Sequence, residues 1–207
     1  MNRFPMMGAS RLRMATDGIG ITTLVTAFSC PLRCRMCLNP QCFDENTPVK
    51  HVTPEELYDI VKVDDLYFQA TGGGITFGGG EPLLHSEFIA EFRKICGNKW
   101  HITAETCLNI PNDKLKTAIQ CIDAFFVDIK DMNPEIYLRY TGKDNRQVIE
   151  NLKYLIKSIS PEHITVRVPH IPGYNTPADV QKSTKILRDM GFVNLDIFTY
   201  IEKKTII

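Results

Sequence analysis

Thr22-Thr23-Leu24-Val25-Thr26-Ala27-Phe28-Ser29-Cys30-Pro31-Leu32-Arg33-Cys34-Arg35-Met36-Cys37 joins a short β-type run to a loop of three cysteines. The run is rich in β-branched and apolar side chains and reads as a buried strand. The loop begins where that strand ends. Thiolates are the ligands of iron-sulfur clusters, and a C-x3-C-x2-C spacing supplies three of them at close range. A fully enclosed cubane would take a fourth protein ligand. With three, one iron is left open to a small molecule, which is the arrangement of a catalytic cluster. Cys30, Cys34 and Cys37 are therefore the candidate catalytic and metal-ligating residues. A structural zinc site is the competing reading, but it wants a second Cys or Cys/His pair. Cys42 is a candidate fourth ligand, yet it follows Asn39-Pro40, where the chain is expected to turn away. Disulfides fit less well, because seven cysteines is an odd count and nothing at the N-terminus looks secretory.

Further β-type runs follow at Gly74 to Phe77, His101 to Glu105, Phe125 to Ile129, Ile164 to Val168 and Leu195 to Tyr200. Amphipathic helical stretches lie between them. Thr53-Pro54-Glu55-Glu56 has the form of a capping box with proline at the first helical position, so a helix is expected from there toward Val61. Thr176-Pro177-Ala178-Asp179 repeats the proline start, and Gly191 is placed to end that helix after Met190. Between Asp144 and Ile159, the apolar residues Val148, Ile149, Leu152, Leu155, Ile156 and Ile159 have the spacing of one buried face. Strand and helix signals that alternate over nearly the whole chain predict a parallel sheet. Six strands fall short of the roughly eight of a closed barrel. The expected fold is thus α/β, a partial (β/α)6 barrel with an open side, in one domain over residues 1–207. In such sheets ligands sit at the carboxyl ends of the strands. That places the cysteine loop at the mouth, and an open side admits a large substrate.

The 207 residues, 43% of them hydrophobic, are enough to bury one sizeable core. Lysine plus arginine equal aspartate plus glutamate at 24 each, so no basic excess favours nucleic acid and no long-range field recruits an anionic partner. The longest apolar stretches, such as Leu24 to Phe28, are far short of the roughly 20 residues that span a bilayer. A soluble protein of a reducing, anaerobic cytoplasm is expected from the free cysteines and an oxygen-sensitive cluster. Arg3, Arg11 and Arg13 precede the first acid, Asp17, and read as a flexible basic start.

Gly72-Gly73-Gly74 and Gly78-Gly79-Gly80-Glu81-Pro82 flank the second strand. Neither the Gly-Lys-Ser/Thr ending of a phosphate loop nor a G-x-G-x-x-G spacing is present, so nucleotide-loop readings fail on their own patterns. Glycines for tight turns remain an alternative. They do not explain the Glu81-Pro82 that follows at once. Glycines let a cationic ammonium approach backbone carbonyls, and a nearby carboxylate can hold the loop or the charge. The third strand ends in Glu105-Thr106-Cys107, and the fourth in Asp128-Ile129-Lys130. Side chains alternate along a strand, so Asp128 and Lys130 share a face and both can point into the mouth. A lone Asp/Lys pair is more often a structural ion pair. Its place at a strand's carboxyl end, beside the cysteine loop, points to function. Cys96, Cys107 and Cys121 are expected to be buried structural thiols. His85, His101 and His170 show no ligand spacing.

The cysteine loop, with apolar Met36 before its last cysteine, resembles the signature of the radical S-adenosylmethionine (SAM) enzymes. Gly79-Gly80-Glu81-Pro82 resembles the motif of that family that receives the methionine amino group. The resemblance implies a 4Fe-4S cluster on Cys30, Cys34 and Cys37, SAM chelated to the open iron, and a 5'-deoxyadenosyl radical formed on reduction. Within the family the chain is similar to the activating enzymes of glycyl radical enzymes. That similarity rests on Asp17-Gly18, Cys-Pro-Leu-Arg-Cys, Asp128-Ile129-Lys130 with Met132-Asn133, Thr141-Gly142, Arg167 and Pro172-Gly173. It implies as cofactor-binding residues Met36, Cys37, Leu38, Gly79, Gly80, Glu81, Glu105, Thr106, Asp128, Ile129, Lys130 and Arg167. Lys130 would meet the SAM carboxylate, and Arg167 would lie near its sulfonium and ribose. Glu105 and Thr106 would help Asp128 bind a monovalent cation. The implied partners are a glycyl radical enzyme as protein substrate and a flavodoxin or ferredoxin-type electron donor.

The chain departs from that pattern in three places. The family's Asp-Gly-Pro-Gly-Ile-Arg reads Asp17-Gly18-Ile19-Gly20-Ile21-Thr22 here, and Ile201 falls where the family carries a histidine that meets adenine. The sequence also ends at Ile207, without the closing helix and tail of longer members. No cysteine-rich insert lies between Cys42 and Gly72, so no additional ferredoxin-like clusters are expected. Two other functions stay open: a radical SAM enzyme acting on a small molecule or peptide, as in the carboxy-deazaguanine synthases or natural-product enzymes, and a non-catalytic iron-sulfur protein.

Overall fold

A computed structural model describes residues 2–14 and 16–201. The strands are β1 (Phe4–Met14), β2 (Ile21–Ala27), β3 (Lys50–Val52), β4 (Gly74–Gly79), β5 (His101–Thr106), β6 (Ala124–Asp128), β7 (Ile164–His170) and β8 (Asn194–Thr199). The helices are α1 (Pro54–Val61), α2 (Asp65–Thr71), α3 (Ser86–Cys96), α4 (Asn112–Ala118), α5 (Pro134–Thr141), α6 (Arg146–Ser158) and α7 (Pro177–Asp189). One eight-stranded sheet runs in the order β3-β1-β2-β4-β5-β6-β7-β8. From β2 to β8 every pairing is parallel, and these are the six strands expected from the sequence, within a residue or two at each end. Among the described residues β3 and β8 do not pair, so the sheet stays open.

The two antiparallel strands were not expected. β1 pairs with β2 and with β3, so the basic N-terminal stretch is a sheet strand and not a flexible start. Its pattern was hard to read because Pro5, Gly8, Arg11 and Arg13 interrupt the alternation, and only Phe4 and Met6 are buried. Arg11 and Arg13 are held by acids. Arg11 Nε donates to both oxygens of Asp64 at 3.0 Å, and Arg13 pairs with Asp17.

The helix signals give local structure as expected. Thr53 and Glu56 close a capping box at α1, and Thr176 with Asp179 closes one at α7. α6 buries Val148, Asn151, Leu152 and Leu155 on one face. An aromatic cluster of Phe4, Phe77, Phe88, Phe92 and Trp100 packs α3 against the sheet, with ring centroids 5.2 to 6.2 Å apart. No helix among the described residues is long and apolar enough to cross a membrane.

Register decides what meets at the carboxyl ends. Ala27 lies opposite Gly79, Thr106 opposite Val127, and Asp128 opposite Arg167. The last residues of neighbouring strands therefore converge on the loops that follow β2 and β4.

Candidate active site

The cysteine loop leaves β2 through Ser29, which has a positive φ of 74°. This is a strained backbone for a residue with a Cβ, and it is held from several sides. Ser29 N–H donates to the Cys42 carbonyl at 3.0 Å, and the Ser29 carbonyl accepts from Glu81 N–H at 2.8 Å. Gly80 N–H donates to the Ala27 carbonyl at 2.9 Å. A Cβ on Gly80 would stand 2.1 Å from the Ser29 carbonyl oxygen, and Gly79 sits at φ 89°. Only glycine allows the two loops to interlock this closely. Asn39 completes the clamp, its Nδ2 donating to the Gly79 carbonyl at 3.1 Å.

The far side of the cysteine loop rests on the end of α5. Arg33 N–H donates to the Thr141 carbonyl at 2.9 Å, and Arg35 N–H to the Tyr140 carbonyl at 3.1 Å. These are carbonyls of the last helical turn, which need partners outside the helix. The loop is thus gripped on one side by the glycines after β4 and on the other by α5.

Between these supports is a cavity of about 450 Å³, a size suited to a small-molecule ligand. Cys30, Cys34, Met36, Cys37, Leu38, Gly79, Gly80, Glu105, Thr106, Asp128, Lys130 and Arg167 all line it. Of the residues expected from sequence, Glu81 and Ile129 do not line it. Both are fully buried. Glu81 is a loop clamp: Oε1 accepts from the Thr106 hydroxyl at 2.8 Å and from Leu83 N–H at 3.1 Å, and Oε2 accepts from Cys107 N–H at 2.8 Å. Burial raises its pKa, and these donors act against the rise.

Two further expectations change. Cys107, expected as a structural thiol, lines the cavity beside Cys30. Cys42 does not turn away: a short 3-10 turn over Pro40–Phe43 folds it back beneath the loop toward Cys37, buried but off the cavity wall. Burial pushes the Cys42 thiol up to about 12 and the Cys34 thiol up to about 11. Among the described residues, no group of three His, Cys, Asp or Glu side chains converges as a single metal ion would need.

The polar wall opposite the cysteines is a linked set of charges. Arg167 lies 2.7 Å from Glu105 and 4.0 Å from Asp128, with its guanidinium 4.5 Å from the centroid of the Phe126 ring. Lys130 Nζ is 3.6 Å from Asp128 and donates to Tyr200 Oη at 3.3 Å. Burial opposes its charge, but Asp128 and the neighbouring acidic hydroxyls and thiol outweigh it, so its pKa is raised. Arg167 is likewise opposed by burial and held charged by Asp128 and Glu105. Ile201, aligned with the family histidine, is 90% exposed, whereas Tyr200 beside it lines the cavity. Arg13, Asp17, Tyr140 and Tyr200 are lining residues that sequence reasoning missed. Aromatic residues at a helix end and after a last strand carry no spacing signal that could have marked Tyr140 or Tyr200.

The residues present fit a cluster and an amino-acid ligand. Three thiols share one cavity with a glycine-built backbone cradle and with a buried ammonium. Among the described residues, the Tyr140 hydroxyl on the same wall is buried without a hydrogen-bond partner. A larger groove of about 730 Å³ between α7 and β8 holds His170 but no cysteine.

An open, mostly parallel sheet with a three-cysteine loop at the carboxyl end of its first parallel strand is the architecture of a radical SAM core. The family profile of the Radical SAM superfamily matches residues 24–200, and the chain belongs to that superfamily. Membership implies a 4Fe-4S cluster and SAM. The pyruvate formate-lyase-activating enzyme of Listeria monocytogenes is 31% identical over 193 residues, covering 89% of this chain and 77% of the relative. The (2S)-3-sulfopropanediol dehydratase activating enzyme of Klebsiella oxytoca is 27% identical over 238 residues, covering 84% of this chain and 74% of the relative. Among solved structures, Streptococcus suis SuiB bound to S-adenosylmethionine superposes with a TM-score of 0.63 at 13% identity over 87% of this chain. That likeness concerns the fold, and this chain spans 39% of the SuiB chain.

Proposed function

We propose that the chain is an activating enzyme of a glycyl radical enzyme, built as one radical SAM core domain. The observation that carries the site assignment is the single cavity shared by the Cys30, Cys34 and Cys37 thiols, the Gly79-Gly80 backbone and the Asp128–Lys130–Arg167 wall. The relatives that are activating enzymes support the choice of substrate. When bound, the reduced cluster and SAM together supply a 5'-deoxyadenosyl radical able to abstract hydrogen from a backbone glycine. The chain's own part is to position and to exclude water. Cys30, Cys34 and Cys37 hold the cluster. Lys130 presents an ammonium to the SAM carboxylate, the Gly79 and Gly80 backbone receives the amino group, and Asp128 and Arg167 orient the rest. Glu81 acts behind this surface by fixing the loop. A monovalent cation at Glu105, Thr106 and Asp128 is part of the proposal. The electron comes from a flavodoxin or ferredoxin-type donor.

The test is to add the reduced, SAM-loaded protein to pyruvate formate-lyase and record the electron paramagnetic resonance spectrum. A glycyl radical doublet that changes on deuterating the glycine is expected. SAM cleavage with no radical on this or other glycyl radical enzymes would contradict the activase reading. It would favour a small-molecule or peptide substrate, a reading that the altered Asp17-Gly18-Ile19-Gly20-Ile21-Thr22 segment supports.

A further inference from the structure

We infer that the outer face of the cysteine loop, around Arg33, Arg35 and Phe43, is the docking surface for the electron donor, a carrier protein with an acidic rim around its redox centre. The inference rests on the reading, proposed above, of Cys30, Cys34 and Cys37 as cluster ligands and of the donor as a protein. A groove of about 370 Å³ reaches the loop from outside, and Cys34 and Cys37 are among its lining residues. These two cysteines line both the groove and the inner cavity, whereas Cys30 lines the inner cavity alone. The loop is thus a wall between two openings. Its inner side is committed to SAM and substrate under the proposed function, so the electron enters from the outer side. Electron transfer weakens steeply with distance, and the groove brings a carrier against two ligand residues.

The charge of the groove selects the partner. Two guanidinium groups line it and no acid does, with Met36, Pro40 and Phe43 between them. Arginine, methionine and aromatic residues are the types enriched where proteins meet. Arg33 is held in place: its Nη1 donates to the Cys30 carbonyl at 2.7 Å and to the Leu32 carbonyl at 3.0 Å, and its guanidinium lies 4.0 Å from the centroid of the Phe43 ring. Arg35 is exposed and is tied to the fold by its main chain, through the N–H bond to the Tyr140 carbonyl, so its side chain is available to a partner. The acid that follows Phe43, Asp44, is turned into its own loop, where Oδ1 accepts from Asn46 N–H at 2.9 Å and from Asn46 Nδ2 at 3.0 Å. The chain carries no net charge, so the attraction is local to this face and open to screening by salt. Electron-transfer encounters bury less than about 1,200 Å², so a small face is enough. In the step itself the carrier loses one electron and the oxidised cluster gains it, and no bond forms or breaks.

The experiment follows cluster reduction by stopped flow in the anaerobically reconstituted full chain, with a reduced acidic flavodoxin as the probe and dithionite as the small reductant. For the parent, the rate with flavodoxin should fall as salt is added. Arg35→Glu should slow that reduction about tenfold at low salt, with iron content, SAM affinity and the dithionite rate unchanged. Lys94→Glu makes the same change of charge in the last turn of α3, toward the amino ends of the strands and away from the cysteine loop, and should match the parent. Equal slowing in both variants, or an unslowed Arg35→Glu, overturns the inference and leaves the function proposed above intact. A parent that dithionite reduces but that neither flavodoxin nor a ferredoxin reduces overturns it too. Should Arg35→Glu fail to hold iron, Arg35→Gln decides: slower reduction by flavodoxin at full iron content is expected, and the parent rate overturns the inference. A parent that builds no cluster refutes the cluster reading and this inference together.

Discussion

Two buried charges sit against different parts of the sheet, and they are satisfied differently. Asp64, fully buried near the start of β2, accepts from Arg11 of β1 and, at 2.8 Å, from the Thr23 hydroxyl. Its demand for partners is met inside the protein. Lys130, 9% exposed at the mouth, has Asp128 only at 3.6 Å and a long bond to Tyr200. The Tyr140 hydroxyl on the same wall has no partner among the described residues. Buried polar groups are normally paired, so the closed set reads as structural and the open set as waiting for a ligand. Both regions pack on one sheet and both bury an ion beside an opposite charge, so what separates them is completeness of hydrogen bonding.

Replacing residues in each region should break one property and spare the other. The largest effect is expected from Cys34→Ala, which should abolish the cluster, read as loss of bound iron and of the visible charge-transfer absorbance, while the far side of the sheet stays folded. Normal iron content in that variant would remove Cys34 from the ligand set. Asp64→Asn should destabilise the fold by roughly 2 kcal/mol in urea melts at pH 7, as for hydrogen bonds to a charged group. Cluster content and SAM affinity should be unchanged. Arg11 holds the Asp64 carboxyl below the usual carboxylate range, with burial acting against it and Thr23 adding to it. A lowered folded pKa means the stabilisation is complete above about pH 4 and is lost as pH falls through the folded value. The gap between parent and variant should therefore shrink as pH falls below about 4, and a gap that stays constant through the acid limb would contradict the pairing.

Lys130→Ala should do the opposite of Asp64→Asn. Asp128 keeps Arg167 as a partner, so the fold should hold while SAM affinity falls about tenfold, or ~1.4 kcal/mol. Equal SAM affinity in equilibrium dialysis would take Lys130 out of the site. Ile201→Ala marks the small end of the series. Ile201 points to solvent, so neither iron content nor SAM affinity should change, and a loss of SAM binding would restore the position to the adenine contact.

The parallel half of the fold was legible because each strand carries a β-branched or apolar run, and because Thr53 and Thr176 announce helix starts in a form that depends on a few adjacent residues. The cysteines and the glycine loop were legible for the same reason. β1 was not, since its place in the sheet depends on pairing with β2 and β3 and not on its own pattern. Glu81 was found as a residue but not as a clamp, because its partners Thr106 and Cys107 come from another strand end. Tyr140 and Tyr200 reach the cavity only through tertiary geometry, and Cys42 returns to the loop only through a turn that Asn39-Pro40 was expected to direct outward.

The most direct test of the open region as a cofactor site is anaerobic reconstitution with iron and sulfide, reduction with dithionite and titration with SAM, followed by paramagnetic resonance and assay for 5'-deoxyadenosine. The structure leads to a reduced cluster of about four irons whose spectrum changes when SAM binds, with 5'-deoxyadenosine released. Failure to assemble any cluster, with zinc bound tightly in its place, would contradict the account.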